Sequence, residues 1–508
     1  MPKPSESAAR IAESDRIPTV QKIMFAVGVN TDFVATGLLT KTLWMPVFNI
    51  GFGISPVLLG VILMVLRGWD AITDPIVGNI SDNARTRWGR RRPFMFVAAI
   101  ATALMYPLFW HMPVAFTETM KTAWLVGVGM VFFLCFSFWS MPFYGLQLEL
   151  TPSYDERTRL TAWMTFFGKM GYFLGSWILA LVMLVGMVAL GDPKAVDGRD
   201  EFVQGILSAI KPLLTFLAHP GEGEHPMAVG MRVVCWLIAL GILCFGICPA
   251  LFTKERYYKA EAGKQPRTPL LQSLKESSRC TPLWALIGIS FFLVLGSASV
   301  VSLGQYVNFY YANGGDLAKG ALIAGYKGSA MVAVGIVTIP LFTWLGERFD
   351  KRTMVMTMLG ITMIGHLSNY FLMTPANPYL QIISGAFESC AIASVWLFLP
   401  SMKADVADWD ERRTSRRREG SINAFYSWFI KAALTGSLGV GGMVLEFSGF
   451  DARVGVQPDA VVSRMFHLYL VLPIFIWGGA MVLAWFYPLT RAKSLAIRTE
   501  LEARRGKM

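Results

Sequence analysis

Long apolar stretches, separated by short polar segments, recur along the whole chain. They lie near 21–49, 55–81, 93–112, 121–148, 159–190, 229–253, 281–311, 318–346, 354–373, 377–407, 420–446 and 465–489. An apolar helix of about 20 residues crosses the roughly 30 Å hydrocarbon core of a bilayer, whereas the strands of a membrane barrel would alternate over about ten residues. The pattern therefore predicts an all-α membrane protein with twelve transmembrane helices, here called span 1 to span 12.

Two pairs of polar motifs divide the twelve spans into equivalent halves. YDERTR (Tyr154–Arg159) follows span 4, and WDERRT (Trp409–Thr414) follows span 10. GNISDNAR begins at Gly78 after span 2, and GERFDKRT begins at Gly346 after span 8. Matching motifs at matching positions predict duplicated six-helix halves, as in major facilitator transporters, which bind substrate between the halves at the bilayer midplane.

The same pattern predicts the order of segments along the chain. These are a polar N-terminal segment (1–20), an N-terminal half (21–253), a linker (254–280), a C-terminal half (281–490) and a tail (491–508). A long loop, 191–228, joins spans 5 and 6, and Gly and Pro bound an amphipathic helix expected near 200–218. The first residues have neither an apolar core nor a small-residue cleavage site, so we do not expect a signal peptide.

Charge follows the same alternation. The 508 residues are 54% hydrophobic and 16% charged, whereas a soluble chain would be about a quarter charged. The net charge is +12, and the positive residues gather in alternate loops, such as Arg85–Arg92, the linker and the tail. The positive-inside rule then places both termini in the cytoplasm. We expect the protein to lie among the lipids of a plasma membrane, which we take to be a bacterial inner membrane. The positive charge is thus not expected to bind nucleic acid.

Two carboxylates stand inside the apolar sequence of span 2, in the motif WDAITDP. Asp70, Thr73 and Asp74 share one helix face, because positions three and four apart are neighbours. Two carboxylates this close cannot both remain charged in a low-dielectric medium without a partner. They could share a proton, pair with a basic side chain or hold a metal cation such as Na⁺, because hard cations prefer oxygen ligands.

Other polar and aromatic side chains within the spans are candidates for substrate binding, because ionisable groups in a bilayer are costly and usually functional. Asp32 in span 1 and Lys431 in span 11 belong to opposite halves, so we expect them to face each other across a central cavity. Tyr144 and Trp396 could pack against a sugar ring, although such residues more often anchor or pack helices. Five further polar groups within the spans could either serve in binding or simply pair with another side chain. They are Lys41, Lys169, Lys327, His366 and Glu388.

WDAITDPIVGNISD…RWGRRRP and SMKADVADWDERRTSRRREG resemble the signatures of the glycoside–pentoside–hexuronide:cation symporters of the major facilitator superfamily. The resemblance covers essentially all twelve spans. It implies a transporter rather than an enzyme, without a cofactor, that carries a sugar with Na⁺, H⁺ or Li⁺ by alternating access. It also implies cation ligands and sugar contacts at matching positions. The implied cation ligands are Asp70, Thr73, Asp74 and Ser137, and the implied sugar contacts are Asp32, Tyr144, Trp396, Ser427 and Lys431.

Three departures from the galactoside carriers of that family leave the substrate and the cation open. Ser140 stands where those carriers have a sugar-binding Asp, and Thr165 where they have a sugar-binding Arg. Thr73 replaces an Asn, so either Na⁺ or H⁺ could be the coupling ion. We expect a sugar or glycoside. The alternative is an anionic solute, such as a uronide, a sulfated sugar or a lipid-like head group, which Lys431, Lys169 and Lys327 would suit.

The charged loops are expected to set topology and to latch one state of the transporter through ion pairs. The gating or structural candidates are Asp82, Arg85, Arg90, Arg91, Arg157, Asp350, Asp410 and Arg417. A membrane-embedded transferase is a remote alternative, because it would need an acidic motif at a membrane–water face and a sizeable loop domain. We expect the protein to function as a monomer.

Overall fold

The fold was analysed in a computed structural model of the 508-residue chain, which describes residues 16–84, 86–113, 115–150, 154–196, 200–255, 277–414, 419–452, 454 and 456–505. Most of the predicted linker 254–280 therefore lies outside the described residues. The spans of the N-terminal half are span 1 (Thr19–Val27, Val29–Asp32, Phe33–Leu43 and Pro46–Gly51), span 2 (Pro56–Asn83), span 3 (Arg92–Met105), span 4 (Glu118–Glu149), span 5 (Tyr154–Gly175 and Ile178–Leu190) and span 6 (Pro226–Phe252). Those of the C-terminal half are span 7 (Thr281–Tyr306 and Val307–Ala312), span 8 (Leu317–Arg348), span 9 (Lys351–Leu367 and Asn369–Leu372), span 10 (Gln381–Thr414), span 11 (Glu419–Ser448) and span 12 (Asp459–Trp485).

The two halves repeat the same packing. Spans 2 and 4, spans 3 and 4, and spans 3 and 6 are neighbours in the first half, as are spans 8 and 10, spans 9 and 10, and spans 9 and 12 in the second. Each half also begins with a span that ends in π-helical turns, Phe33–Leu43 and Pro46–Gly51 in span 1 and Val307–Ala312 in span 7. Such turns are rare and occur often at functional sites. The predicted all-α fold of paired six-helix halves is confirmed.

One described helix, Glu201–Ala218, lies between spans 5 and 6 and is here called the loop helix. By length and composition alone, twelve helices among the described residues could cross a membrane, and the loop helix is one of them. Its Thr215 hydroxyl donates to the Ala189 carbonyl at the end of span 5 (3.0 Å), and Arg232 in span 6 donates to the carbonyl of Ala218 (3.4 Å). The predicted amphipathic helix therefore exists, and its C-terminal half covers the adjoining ends of spans 5 and 6.

Both ends of the described chain lie on one side of the bundle, which we call the terminal face. Lys22 at the start of span 1 pairs with Glu156 at the start of span 5 (2.7 Å), and Arg412 at the end of span 10 pairs with Glu500 (3.7 Å) of the tail helix Arg491–Arg505. The loop helix lies on the opposite face, because it covers the far end of span 5.

The halves meet chiefly where span 2 packs on span 11 and span 5 packs on span 8. Near the opposite face, Tyr306 donates to Asn49 (2.9 Å), and the backbone of Gly442 lies so close to span 2 that a Cβ there would sit 2.5 Å from the Pro56 carbonyl oxygen. Nearer the middle, the Trp177 indole donates to the Ser329 hydroxyl (2.9 Å). These contacts hold the halves together from the opposite face to about the middle of the spans.

Candidate cation and substrate site

The two carboxylates of span 2 meet at one hydroxyl group of span 4. Ser137 Oγ lies 3.2 Å from Asp70 Oδ1 and 2.8 Å from Asp74 Oδ1, and Thr73 Oγ1 lies 3.3 Å from the same hydroxyl. All four side chains are buried. The Trp69 indole fixes this register by donating to the Met130 carbonyl of span 4 (3.0 Å). The four residues predicted as cation ligands therefore lie in one cluster, here called the span 2 site.

Two basic side chains approach the other oxygens of these carboxylates. Lys431 of span 11 contacts Asp74 Oδ2 directly and lies 3.8 Å from Asp70 Oδ2. Arg67, one turn before Asp70, lies 3.4 Å from the same Asp70 oxygen and stacks over the Phe133 ring. Each carboxylate thus turns one oxygen toward hydroxyl groups and the other toward a positive charge.

This division of oxygens is suited to a small hard cation. Asp70 Oδ1, Asp74 Oδ1 and the hydroxyls of Ser137 and Thr73 are four oxygen ligands, the type that Na⁺ accepts. Across the described residues there is no group of three or more His, Cys, Asp or Glu side chains arranged for a metal ion. A cation at the span 2 site would therefore depend on hydroxyl groups as well as on the two carboxylates.

A second acid–hydroxyl pair lies farther along the same face of span 4. The Tyr144 hydroxyl donates to Asp32 Oδ2 (2.6 Å), and Thr36 donates to Asp32 Oδ1 (3.0 Å). Ser137, Ser140 and Tyr144 follow the i, i+3, i+7 spacing of one helix face, and Tyr144 is about 10 Å from Ser137 along the axis. One face of span 4 therefore joins the span 2 site to the predicted sugar contacts Asp32 and Tyr144.

Lys431 pairs with an acid of the other half. Its ammonium group binds Asp74, which is the pairing with a basic side chain that the two carboxylates of span 2 left open, and its expected position opposite Asp32 stays a prediction. Span 11 packs directly on span 2, which brings the Lys431 ammonium group within reach of both carboxylates. Ser427 lies one turn before Lys431 and is half-buried, and the side chain of Trp396 lies outside the described residues.

Among the gating or structural candidates, those that the structure describes make local contacts on the terminal face. The backbone N–H groups of Arg90 and Arg91 each donate to the Glu255 carboxylate (2.9 Å), which joins the start of span 3 to the end of span 6. Asp350 caps span 9 and accepts from the Arg491 N–H of the tail helix (3.4 Å). Asp410 is fully buried. The side chains of Asp82, Arg85, Arg157 and Arg417 lie outside the described residues.

Arg67, which approaches the span 2 site, is a residue that sequence reasoning missed. The sequence does contain an indication of its role, because a lone Arg stands in LMVLRGWDAITD, three positions before Asp70 on the same helix face. An Arg within an apolar span needs a carboxylate or a ring as partner, and here it has both.

Several proteins that are named as symporters align with most of this chain. An uncharacterised symporter of Synechocystis is 29% identical over 89% of this chain and 91% of its own length. A putative glycoside/cation symporter of Escherichia coli is 25% identical (89% and 88% covered), and a sodium-dependent lysophosphatidylcholine symporter of Danio rerio is 24% identical (94% and 87% covered). These relatives include carriers named for sugars and for a lipid.

The fold is that of solved major facilitator transporters. A bacterial homologue of the human lysosomal transporter Spinster, in an inward-facing, unoccupied conformation, superposes with a TM-score of 0.60 at 16% identity, over 96% of this chain and 99% of that one. The family model described as MFS/sugar transport protein matches residues 32–491. This multi-pass membrane protein therefore belongs to the MFS/sugar transport family, among the symporters of the glycoside–pentoside–hexuronide type.

Proposed function

We propose that the protein couples the inward flow of a cation to the uptake of a sugar or glycoside by alternating access. The observation that carries the proposal is the span 2 site, in which the carboxylates of one half are bonded to Ser137 of that half and to Lys431 of the other. The terminal face is then the cytoplasmic face, as the distribution of positive loops favours.

In this proposal the coupling cation competes with Lys431. A Na⁺ or H⁺ bound at Asp74 supplies the positive charge that Lys431 supplies here, so the ammonium group no longer needs that carboxylate. The Lys431 side chain is 42% exposed, so it is free to move away from Asp74. Cation binding thus loosens a contact between the halves and releases a hydrogen-bond donor for the substrate.

The proposed sugar site includes Asp32, Tyr144, Trp396, Ser427 and Lys431. Asp32 is half-exposed, and its bonds to Tyr144 and Thr36 are ones that sugar hydroxyls could replace. A carboxylate accepts hydroxyl protons, and an ammonium group donates to hydroxyl or acidic oxygens. The site therefore offers complementary groups for a polyhydroxylated ring.

Uptake into proteoliposomes and melting of the purified protein test the coupling. Asp70→Asn and Asp74→Asn should abolish accumulation against a gradient, because each removes a charged cation ligand. If the ion is Na⁺, NaCl should raise the melting temperature relative to choline chloride, since about a hundredfold excess over Kd adds about 2.7 kcal/mol. If Na⁺ does not change the melting temperature and a pH gradient alone drives uptake, H⁺ is favoured as the coupling ion. Uphill uptake surviving in both variants would refute the proposal.

An anionic solute, including a lipid-like head group, is the second candidate. Within the described residues, Lys41 and Lys169 have no ion pair within 4 Å, and Lys41 lies near both Asp32 and Arg67. Unpaired lysines inside spans suit a negatively charged substrate. The Danio rerio relative is named for lysophosphatidylcholine, a lipid whose head group carries a phosphate beside a positive choline group.

Equilibrium binding to purified variants separates the two candidates. For a neutral glycoside, Asp32→Ala should weaken binding at least as much as Lys431→Ala does. For an anionic solute, Lys431→Ala should be far more harmful, and Lys41→Ala should add to its effect. Losing one hydrogen bond to a charged group costs about 1.5–3 kcal/mol, which is roughly ten- to hundredfold in affinity. Wild-type affinity in both Asp32→Ala and Lys431→Ala would show that the substrate binds elsewhere.

A further inference from the structure

The C-terminal half contains a second buried group of ionisable side chains, which the proposed cation and sugar sites do not use. Its centre is Glu388 of span 10, and its partners are Lys327 of span 8, His366 and Asn369 of span 9, and Tyr469 of span 12. Glu388, His366 and Tyr469 are buried. We call this set of five residues the Glu388 cluster.

The hydrogen bonds of His366 define where protons must lie in this cluster. Its Nε2 lies 2.9 Å from the backbone carbonyl of Tyr469, and a carbonyl can only accept, so Nε2 carries a hydrogen. Its Nδ1 faces Glu388 Oε1 at 3.4 Å. In a neutral imidazole protonated at Nε2, Nδ1 is itself an acceptor. A bare Nδ1 would then face a carboxylate oxygen with no hydrogen between them.

Burial makes such an arrangement of two acceptors unfavourable, since unpaired polar atoms in a low-dielectric interior are costly. One proton resolves it, whether on Nδ1 or on the carboxyl group. Asn369 and the Tyr469 hydroxyl also point at Oε1 (3.2 and 3.4 Å), and Lys327 binds Oε2 (2.9 Å). Among the described residues, the titratable groups that face Glu388 are Lys327, His366, Tyr469 and, from span 5, Tyr172.

We propose that His366 and Glu388 share one exchangeable proton, and that the Glu388 cluster is a proton-binding site separate from the span 2 site. With the proton bound, the His366–Glu388 pair is neutral as a unit and attracts Lys327 less strongly. After the proton leaves, Glu388 keeps a full negative charge opposite a neutral imidazole, and Lys327 becomes its main counter-charge.

The position of Lys327 connects this proton to the contact between the halves. Lys327 lies on span 8 between Gly325, whose carbonyl accepts from Ser176 of span 5 (3.4 Å), and Ser329, which binds Trp177. A change in how firmly Glu388 holds Lys327 therefore acts on the span 5–span 8 contact. The proposal goes beyond the coupling function proposed above, because it needs neither Na⁺ nor a sugar.

Infrared pH-difference spectroscopy on the purified full-length protein tests the proposal directly. A scan from acidic to alkaline pH should show a protonation signal that belongs to the His366–Glu388 pair rather than to either group alone. Glu388→Gln, whose amide N–H can replace the shared proton toward Nδ1, should abolish that signal. His366→Gln should abolish it as well. The signal should survive in Asp74→Asn, which separates this site from the span 2 site.

Thermal melting over the same pH range is the second measurement. Wild-type protein should lose stability as pH rises and the shared proton departs, and both variants should show a flatter profile. Glu446→Gln, which removes an exposed carboxylate of span 11, is the matched control and should keep the wild-type profile. A wild-type pH profile and infrared signal in both Glu388→Gln and His366→Gln would overturn the proposal, as would the loss of the signal in Asp74→Asn.

Discussion

At the scale of single residues, Ser137 is the side chain that joins the two acids of span 2. Its hydroxyl can donate to only one carboxylate at a time, yet it lies within 3.2 Å of both. The other carboxylate then depends on Lys431 and Arg67 for its counter-charge. An added cation would complete this arrangement, because it could contact both acids and the hydroxyl together.

Ser137→Ala should therefore weaken cation binding. The loss of one hydroxyl ligand is expected to cost about 1 kcal/mol, or roughly five- to tenfold in apparent cation affinity. Cation-dependent melting of the purified variant measures this change. Ser140→Ala is the matched control, because Ser140 is equally buried and lies one turn farther along the same helix. Equal cation affinity in Ser137→Ala and wild type would remove Ser137 from the site.

The sequence identified most of these residues but not how they pair. Asp70 and Asp74 are visible because carboxylates inside an apolar span are rare and need partners. Lys431 is visible for the same reason, but its choice of Asp74 over Asp32 depends on the depth and rotation of span 11 against span 2. One sequence without its packing does not contain that information.

At the scale of elements, the loop helix is held by an ion pair on the opposite face. Arg232 at the start of span 6 makes two bonds to Glu224 (2.6 and 2.8 Å), and the Gly221 N–H donates to the same carboxylate (2.9 Å). Burial would raise the pKa of Glu224, but the hydrogen bonds from Arg232 and Gly221 outweigh it and lower that pKa. Arg232 also binds the C-terminal end of the loop helix.

Because its pKa is lowered on folding, Glu224 should contribute stability at neutral pH that is lost as pH falls through its folded pKa, below about 4.3. Glu224→Gln should cost about 3 kcal/mol at neutral pH, since it leaves a buried Arg without its counter-charge. The variant should also lose less stability than wild type between neutral pH and about pH 3.

Thermal melts at the two pH values measure both effects. Glu222→Gln, two positions away in the same loop and exposed, is the control and should match wild type. An equal loss of stability on acidification in Glu224→Gln and wild type would contradict this account.

The loop helix and the π-helical turns differ in whether the sequence predicts them. Gly and Pro around an amphipathic stretch predicted the loop helix, because turn residues and helical periodicity are local signals. The π-helical turns of spans 1 and 7 had no such signal. The buried bond from Tyr306 to Asn49 joins those two regions across the contact between the halves.

At the scale of the whole molecule, the contact of span 2 with span 11 decides how closely the halves approach on the opposite face. Gly442→Ala would place a methyl group 2.5 Å from the Pro56 carbonyl, which is backbone and cannot swing aside. We expect this variant to destabilise the arrangement in which the opposite face is closed. Labelling of single cysteines placed between the halves should then become faster from that side.

Gly436→Ala is the matched control for this experiment. It lies on the same span, and the nearest atom to its new methyl group would be Leu295 Cδ1 at 3.8 Å, an ordinary contact. Labelling rates should therefore remain those of wild type. Unchanged labelling in Gly442→Ala as well would show that the glycine contact does not control closure.

The paired halves themselves could be predicted, because the repeated motifs after spans 2 and 8 and after spans 4 and 10 survive in the sequence. The face on which the halves are closed could not be predicted. A protein built to alternate between two arrangements must keep both within a few kcal/mol of each other. Its sequence therefore fits both arrangements, and patterns of hydrophobicity do not distinguish them.

The two acids of the span 2 site and the two bases that approach them also determine how the protein would respond to voltage. Asp70 and Asp74 are balanced by Arg67 and Lys431, so the site without a cation is electrically neutral. With Na⁺ bound and a neutral sugar, the moving site carries one positive charge, and a membrane potential of 100 mV favours its inward movement by about 2.3 kcal/mol. We therefore expect inward current on adding substrate to protein in supported membranes, and Lys431→Gln should shift the voltage-dependent movement to the empty carrier, whose site would then be negative.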